Sequence, residues 1–224
     1  GVQPQYVIDM LNWMVHCWGV VPLTDMLSMV ISKEIAEEDT PENRAMLAEL
    51  FQMEQYVTMA LSYARLGNPT KDLVLTRVPL DPVIRQAIRD FAPLLIRKKL
   101  RLQYEPTAES ALTDSKWLLF ILHQLLSNAV KYTDRGHVSI RVTSAPAIIV
   151  ADTGIGIAPE DVPRVFEKGY TGYNGRGGQK STGLGLYLVH QTAEMLHCRV
   201  SLSSRIGEGT SVTIDLHQEE LGKE

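Results

Sequence analysis

The sequence predicts an α+β fold: a helical hairpin followed by a sandwich in which helices cover one face of a mixed β-sheet. The first part of the chain repeats apolar residues at heptad spacing, as helices that pack along other helices do. After residue 70, strand-like and helix-like segments follow one another without strict β-α-β alternation, which favours α+β over a parallel α/β sheet. We therefore expect two domains, over residues 1–67 and 70–218.

Two helices are predicted in the first domain. One is expected over residues 6–36, and Thr40 and Pro41 suit the start of a second, which stops at Gly67. The second helix carries an apolar seam with steps of four and three residues, formed by Met46, Leu50, Met53, Val57, Ala60 and Ala64. Because such a hairpin buries little alone, a four-helix bundle made by two chains is favoured over a hairpin packed on its own domain.

The elements of the second domain follow from alternation, caps and turn residues. Helices are predicted from the cap Asp81-Pro82 to about residue 99, from Asp114 to about Thr133, and over 183–196. Strands are predicted at 73–78, 100–104, 137–142, 148–151, 200–204 and 210–216. Residues 154–181 are predicted to be mostly loop.

Composition excludes several classes of protein. The net charge of −4 and the absence of a basic run argue against a nucleic-acid partner. Cys17 and Cys198 are too few and too far apart for a disulfide framework or a metal site, so reduced thiols are expected. No apolar stretch reaches the roughly 18–20 residues that span a bilayer. Since the chain begins with Gly1 rather than Met, we expect a fragment whose sensor and membrane anchor lie upstream.

Three motifs occur in order within about 60 residues, each of them weak alone. They are Asn128 in HQLLSNAVKYT, Asp152 in ADTGIGIAP, and Gly183 with Gly185 in STGLGLYLVH. The amide oxygen of Asn128 suits a hard cation. Asp152 ends an apolar run and offers a buried acceptor for an exocyclic amine. Because the glycines let backbone N–H groups approach phosphates, the ordered set predicts a nucleotide site.

At these residues the chain resembles the GHKL ATPase superfamily, and within it the two-component sensor histidine kinases. HQLLSNAVKYT resembles the N box, DTGIGI the first glycine box, RVFEKGYTG the F box and STGLGLYLV the second glycine box. The resemblance covers residues 70–217 best. Segments such as MEQYVTMALSYARL are most similar to the kinases that partner peptide-antibiotic transporters. The resemblance implies a Bergerat-type sandwich that binds ATP and Mg²⁺.

The resemblance also implies roles for single residues. Asn128 is expected to bind Mg²⁺, Lys131 to reach a phosphate oxygen, and Tyr132 to pack near the adenine or the ribose. Asp152 is expected to accept the adenine N6–H. The other candidates surround the same nucleotide: Gly154 and Gly156 beside the base, Thr182 or Thr213 at its edge, Lys168 in a glycine-rich lid over 168–181, and Gly183, Leu184 and Gly185 at a helix start that attracts phosphate.

Gln124 bears on the type of reaction. It lies one turn before Asn128, where the ATP-hydrolysing relatives carry a glutamate that activates water. An amide cannot act as a general base. Transfer of the phosphoryl group to a protein side chain is therefore favoured over hydrolysis. The neighbouring His123 is interpreted as a packing residue.

His16 is the candidate phosphoacceptor, since it is the only histidine before position 100. A neutral imidazole can attack the γ-phosphoryl group in line. In the family an acidic or amide residue follows the histidine and a proline stands five positions after it. Here Cys17 follows, and Pro22 stands six positions after His16. The family also carries a Thr or Asn before this proline to position water, and Val20 and Val21 cannot do that. We therefore expect weak or absent phosphatase activity toward a regulator, and a packing role for His16 is the alternative.

The predicted function is the cytoplasmic core of a membrane-bound sensor histidine kinase. It is expected to be a homodimer that autophosphorylates His16 and passes the phosphoryl group to an Asp of a response regulator. A transporter is a further expected partner, through a membrane part outside this sequence. The alternative is a non-catalytic, ATP-binding dimeric switch, which the irregular motif around His16 favours. A chaperone or topoisomerase type of ATPase is disfavoured by Gln124.

Overall fold

The computed structural model describes residues 73–172 and 183–217. The predicted hairpin of residues 1–67, with His16, lies outside them. Within the described residues the α+β class with a mixed sheet is confirmed, with three α-helices beside a five-stranded sheet. No helix of this part of the chain is long and apolar enough to cross a membrane.

Strands and helices alternate irregularly along the described residues. The strands are β1 Thr76–Pro79, β2 Arg101–Tyr104, β3 Ser110–Thr113, β4 His137–Val142, β5 Ala147–Asp152, β6 Arg199–Arg205 and β7 Gly209–Asp215. The helices are α1 Leu80–Arg97, α2 Ser115–Tyr132 and α3 Gly185–Met195, and a short 3₁₀ turn spans Val162–Arg164.

The large sheet has the strand order β2-β4-β5-β7-β6. The β2–β4 pair is parallel and the other pairs are antiparallel. Alternate residues of the central strands are buried toward the helices, namely Val138, Ile140, Ile148, Val150, Val212 and Ile214. β1 and β3 form a separate antiparallel pair. One face of the sheet therefore carries the core, as period-two alternation requires.

Helix α2 is the central helix of the core. Ten of its residues are buried, because it packs against α1, α3 and β5. Asp114 caps its start, since its carboxylate Oδ1 accepts the N–H groups of Lys116 at 2.9 Å and Trp117 at 3.4 Å. The predicted helix start is thus confirmed. His123 packs edge-on against Phe91 of α1, as expected for a packing residue.

The structure corrects the predicted starts of α1 and α3 and adds the strand β3. α1 begins at Leu80, so Asp81 is not its cap. The Asp81 carboxylate instead accepts hydrogen bonds from Tyr104 Oη and Arg85 Nε, both at 2.6 Å. β3 was not predicted, because its four residues show too short an alternation. α3 begins at Gly185, two residues later than predicted, since Gly183 adopts a positive φ of 64°.

The C-termini of α1 and α3 share one geometry. Lys99 and His197 both have a φ of 55°. At the first end, Lys99 N–H donates to Ile96 O and Leu100 N–H to Leu95 O, and the second end repeats this pattern around His197. Both ends are therefore Schellman motifs in which a residue other than glycine occupies the left-handed position.

Candidate functional site

An open cavity lies between α2, α3 and the core face of the sheet. Its volume is about 1030 Å³, including the part that opens to solvent. Its walls come from α2, the end of β5, the loop after β5, the start of α3 and the strands β6 and β7. A concave, mostly apolar site of this size can take a small organic ligand.

Asp152 lies at the end of β5, between Val138 of β4 and Thr210 of β7. Its Oδ1 accepts the Gly154 N–H at 2.8 Å. Burial raises the pKa of the Asp152 carboxyl, and the hydrogen bond from Gly154 opposes that rise. The cavity therefore contains a half-buried hydrogen-bond acceptor suited to an amine of a flat, apolar ring system.

Two amides of α2 lie beneath the start of α3. Asn128 lines the cavity, and Gln124 lies one turn earlier with only 4% of its surface exposed. A Cβ on Gly185 would lie 3.3 Å from Gln124 Oε1 and 3.9 Å from Asn128 Nδ2, so the first turn of α3 faces both amides. Among the residues that the structure describes, no side chain caps the start of α3. The amide of Asn128 therefore lies beside the first turn of α3, whose N–H groups have no intrahelical acceptor.

Tyr132 and Lys131 lie in the last turn of α2. Tyr132 lines the cavity, and the ammonium of Lys131 stands 5.4 Å from the centre of the Tyr132 ring. The Tyr132 carbonyl accepts the N–H of Ile155 at 3.1 Å, so the loop after β5 is tied to the end of α2. Tyr132 and Ile155 therefore belong to one wall of the cavity.

Glycine is required at two turns of the cavity wall. Gly156 has a φ of 70°, and a side chain there would overlap the carbonyl of Arg205. Gly183 has a φ of 64°, and a side chain would overlap the backbone of Gly169. The Gly169 N–H also donates to Gly183 O at 3.0 Å. Both positions therefore combine a left-handed conformation with close backbone contact.

A cluster of polar side chains forms the wall before the glycine-rich stretch. The hydroxyl of Tyr170 donates to Asp161, and the Arg164 guanidinium lies 4.3 Å from the centre of the Tyr170 ring. The hydrogen bond to Asp161 raises the pKa of Tyr170. Asp161, Tyr170 and the buried Val165 line the cavity, and the ring of Phe166 packs against His190 of α3.

The structure brings together most, but not all, of the residues expected at the site. The cavity lining includes Asn128, Tyr132, Asp152, Gly156, Gly183 and Gly185, and Gly154 is buried beside Asp152. Four further candidates do not line it: Lys131, Lys168, which is exposed, Leu184, which is the N-cap of α3, and Thr213. Thr182 lies outside the described residues.

The predicted site residue Thr213 does not face the cavity. It is one residue from the buried Val212 and Ile214, so its side chain points to the other face of the sheet. Thr210, on the same face as Val212, lines the cavity opposite Asp152. The alternation of β7 carries the signal that would have chosen Thr210. The cavity roles of Asp161 and Tyr170 have no comparable sequence signal, because they depend on how the loop folds back.

The site fits an adenine nucleotide with a magnesium ion. Asp152 is an acceptor for an exocyclic amine, and the apolar lining accommodates the ring. Nε2 of the buried Gln124 has no hydrogen-bond partner among the described residues, and this donor lies near the start of α3, where an anion is stabilised. Asn128 supplies one oxygen. That is enough for Mg²⁺, which keeps several waters and binds substrate phosphates.

Sequence comparisons agree with this geometry. Residues 113–220 match the family model described as histidine kinase-, DNA gyrase B- and HSP90-like ATPase. Over 94% of its length the chain is 34% identical to the sensor protein BceS of Halalkalibacterium halodurans, covering 62% of that protein. It is 34% identical to the sensor histidine kinase YxdK of Bacillus subtilis over 82% of its length, covering 58% of that protein. The chain thus spans about three fifths of the length of these relatives.

Solved structures support the fold. Full-length ShkA in complex with AMPPNP superposes with a TM-score of 0.61 at 23% identity, over 95% of this chain and 45% of ShkA. The histidine kinase AdeS of Acinetobacter baumannii gives 0.59 at 19% identity, over 87% of this chain and 96% of that structure. With its four boxes, its cavity and these relatives, the chain contains an ATPase domain of the histidine kinase-, DNA gyrase B- and HSP90-like family and is similar to the sensor histidine kinases.

Proposed function

We propose that this chain is the cytoplasmic core of a membrane-bound sensor histidine kinase. It binds Mg-ATP, autophosphorylates His16 in a homodimer and passes the phosphoryl group to an Asp of a response regulator. The observation that carries the proposal is one cavity that holds Asp152 at the end of β5 and Asn128 of α2 facing the start of α3. The similarity to BceS supports a peptide-antibiotic transporter as a further partner.

Each side chain has a chemical task in this proposal. Asp152 accepts the adenine amine and so selects adenine over guanine, whose corresponding position is a carbonyl. Asn128 holds the magnesium ion, which when bound neutralises charge on the phosphates. The first turn of α3 binds phosphate oxygens through its N–H groups. Lys131 and Lys168 add positive charge near the phosphates, and Tyr132 packs against the nucleoside.

The transfer itself uses the imidazole of His16 as the nucleophile. A ring nitrogen forms a bond to the γ-phosphorus while the bond to the β,γ-bridging oxygen breaks, and ADP leaves. Gln124 cannot take a proton from water, so hydrolysis lacks a base at that position. The phosphoryl group then moves from His16 to a carboxylate of the regulator.

Calorimetry and labelling test the proposal. Mg-ATP should bind the chain, and Asn128→Asp should change the affinity for Mg-ATP while the variant remains folded. With γ-labelled ATP, the wild type should gain acid-labile, base-stable phosphate and His16→Gln should gain none. Equal labelling of both proteins would remove His16 from the mechanism.

A second candidate function is an ATP-binding dimeric switch without phosphotransfer. Cys17 and the displaced Pro22 after His16 favour it, because the acidic or amide neighbour of the histidine is missing. Saturable Mg-ATP binding with no labelled protein would support the switch. The absence of binding would contradict both functions.

A further inference from the structure

Lys98 makes an unusual set of contacts at the end of helix α2. It is the C-cap residue of α1, and its ammonium Nζ reaches across to the other helix. Nζ donates to the carbonyl oxygens of Val130 at 2.8 Å, Lys131 at 3.2 Å and Thr133 at 3.1 Å. The side chain is only 26% exposed. A single charged group therefore binds several carbonyls of one helix end.

These contacts complete the hydrogen bonding of the last turn of α2. The Ala129 carbonyl accepts Thr133 N–H, and the Tyr132 carbonyl accepts Ile155 N–H, both at 3.1 Å. The carbonyls at the end of a helix lack intrahelical donors and carry partial negative charge. The N–H of Thr133 binds one of these carbonyls, and Lys98 and Ile155 provide donors for the other three.

The same turn forms the wall of the nucleotide cavity. Asn128, Ala129 and Tyr132 line the cavity from α2, and Ile155 lines it from the loop after β5. Gly154 is pressed against the Tyr132 carbonyl so closely that a side chain would overlap it. If the last turn of α2 frayed, Tyr132 and the loop that follows Asp152 would move together.

We propose that Lys98 is a positioning residue of the nucleotide site: its ammonium fixes the end of α2 and, through Tyr132 and Ile155, the glycine loop. This inference rests on the proposed function, since it concerns affinity for Mg-ATP. Lys98 is not among the residues that line the cavity, so it acts through the end of α2 and not by contact with the nucleotide.

The chemistry of the ammonium suits this task. Lysine offers three N–H donors around one nitrogen, which matches the three carbonyls. The planar fork of arginine suits carboxylates and phosphates instead. The contact with Asp134 is long, at 3.5 Å, and the Asp134 side chain is 86% exposed, so this ion pair contributes little.

Lys98→Met tests the proposal, with Lys99→Met as the matched control. Methionine keeps an unbranched side chain and removes all donors, and the exposed neighbour Lys99 loses the same charge. Amide hydrogen exchange should accelerate at Thr133 and Ile155, and the Kd for Mg-ATP should rise about ten-fold, as expected for lost charged hydrogen bonds. Lys99→Met and Asp134→Ala should leave the exchange rates at Thr133 and Ile155 and the Kd unchanged.

The outcomes separate a positioning role from a stabilising one. Binding is measured well below the melting temperature of each variant, where circular dichroism shows a folded protein. A lower melting temperature with wild-type exchange at Thr133 and Ile155 and a wild-type Kd would overturn the inference. Failure of the wild type to bind Mg-ATP would instead contradict the proposed function.

Lys98→Arg decides the question should Lys98→Met not fold. It keeps the charge but cannot place three donors on the three carbonyls. Its Kd and exchange rates should therefore lie between those of the wild type and those expected for Lys98→Met, which removes all donors. Wild-type exchange rates and wild-type affinity in Lys98→Arg would overturn the proposal.

Discussion

Asp152 is the residue whose environment most directly connects structure and chemistry. Its carboxylate is partly removed from water at the end of β5 and is held by the N–H of Gly154 at 2.8 Å. Such a position is unfavourable for a charge but gives a strong acceptor in an apolar cavity. Removing the charge should therefore stabilise the protein in the absence of ligand and weaken its affinity for the ligand.

Asp152→Asn should weaken the binding of Mg-ATP by about 5- to 150-fold. The amide can still accept from Gly154, but it no longer presents a charged acceptor to the adenine amine, a loss of about 1–3 kcal/mol. Isothermal titration at pH 7.5 measures the effect. The control is Asp215→Asn, at a β7 position whose side chain is on the other face of the sheet. Unchanged affinity in Asp152→Asn would refute our placement of the adenine.

The same substitution should stabilise the nucleotide-free protein above neutral pH. Because burial raises the pKa of Asp152 above its ordinary value of 3.8, the folded state binds the proton more tightly than the unfolded chain. Ionisation therefore costs stability as the pH rises through the raised pKa. Melting curves should show Asp152→Asn above the wild type at pH 8, with a difference that shrinks toward pH 4. A wild type that melts higher at pH 8 would contradict this sign.

Individual site residues were predictable where a motif carried them. Asn128, Asp152 and Gly183 stand in short sequences that constrain a turn or a helix face, and all of them line the cavity. Thr213 stands one position from Val212 in β7, so its side chain lies on the opposite face of the sheet from the cavity. Lys98 could not be found from sequence, because its three acceptors are more than 30 residues away and are backbone atoms.

Helix α2 depends on its two ends. At its start, Asp114 is 1% exposed, and its second carboxylate oxygen also accepts the N–H of Val74 at 2.9 Å. The cap therefore joins α2 to the segment that enters β1. Removing it leaves N–H groups of both segments without an acceptor.

Asp114→Ala should lower the free energy of unfolding by about 1–3 kcal/mol. Asp114→Asn should lose less, since its side-chain oxygen can still accept from Lys116 and Trp117. Urea unfolding followed by circular dichroism measures both values. If the two variants were equally stable, capping would not explain the burial of this carboxylate.

The ends of α1 and α3 offer a stabilising change. Lys99 and His197 occupy left-handed positions with a φ of 55°, which cost about 1–2 kcal/mol for a residue with a Cβ. Lys99→Gly and His197→Gly should each raise the free energy of unfolding by about 0.5–1 kcal/mol, after the entropy of the unfolded glycine is subtracted. Lys99→Ala is the control and should bring no gain, because alanine keeps the Cβ.

The helices and strands that the sequence predicts best are those with a strong local pattern of caps and apolar residues. α2 combines a cap with a long apolar run, and its predicted limits agree with Ser115–Tyr132. α1 was placed too late because Asp81 followed by proline resembles a cap, whereas its carboxylate bonds to Tyr104 and Arg85. β3 is stabilised by pairing with β1, a contact between distant segments that no local pattern shows.

For the whole molecule, the domain division remains a prediction. The sheet and helices of residues 73–172 and 183–217 share one core, and the elements at the nucleotide cavity are all contained in it. We therefore expect residues 70–218 alone to fold, to be monomeric and to bind Mg-ATP with the affinity of the full chain. They should not become labelled by ATP, since His16 is absent. Sedimentation and calorimetry on this fragment check the expectation, and a loss of folding or of binding would contradict the division.

The architecture was predictable as a class but not as a topology. The mixed order of helices and strands pointed to α+β, and the four boxes pointed to the sandwich. The parallel pairing of β2 with β4 and the separate β1–β3 pair depend on long-range contacts, which a single sequence does not reveal.

The burial of Cys198, directly before β6, leaves the other cysteine of the chain as the site for attaching a dye. Cys198 is 8% exposed, and burial raises its pKa to about 12, so hardly any of it is thiolate at neutral pH. The only other cysteine is Cys17, adjacent to His16. A maleimide dye that attaches to the native protein would therefore report from the residue next to the candidate phosphoacceptor, without the need to mutate a competing sulfur.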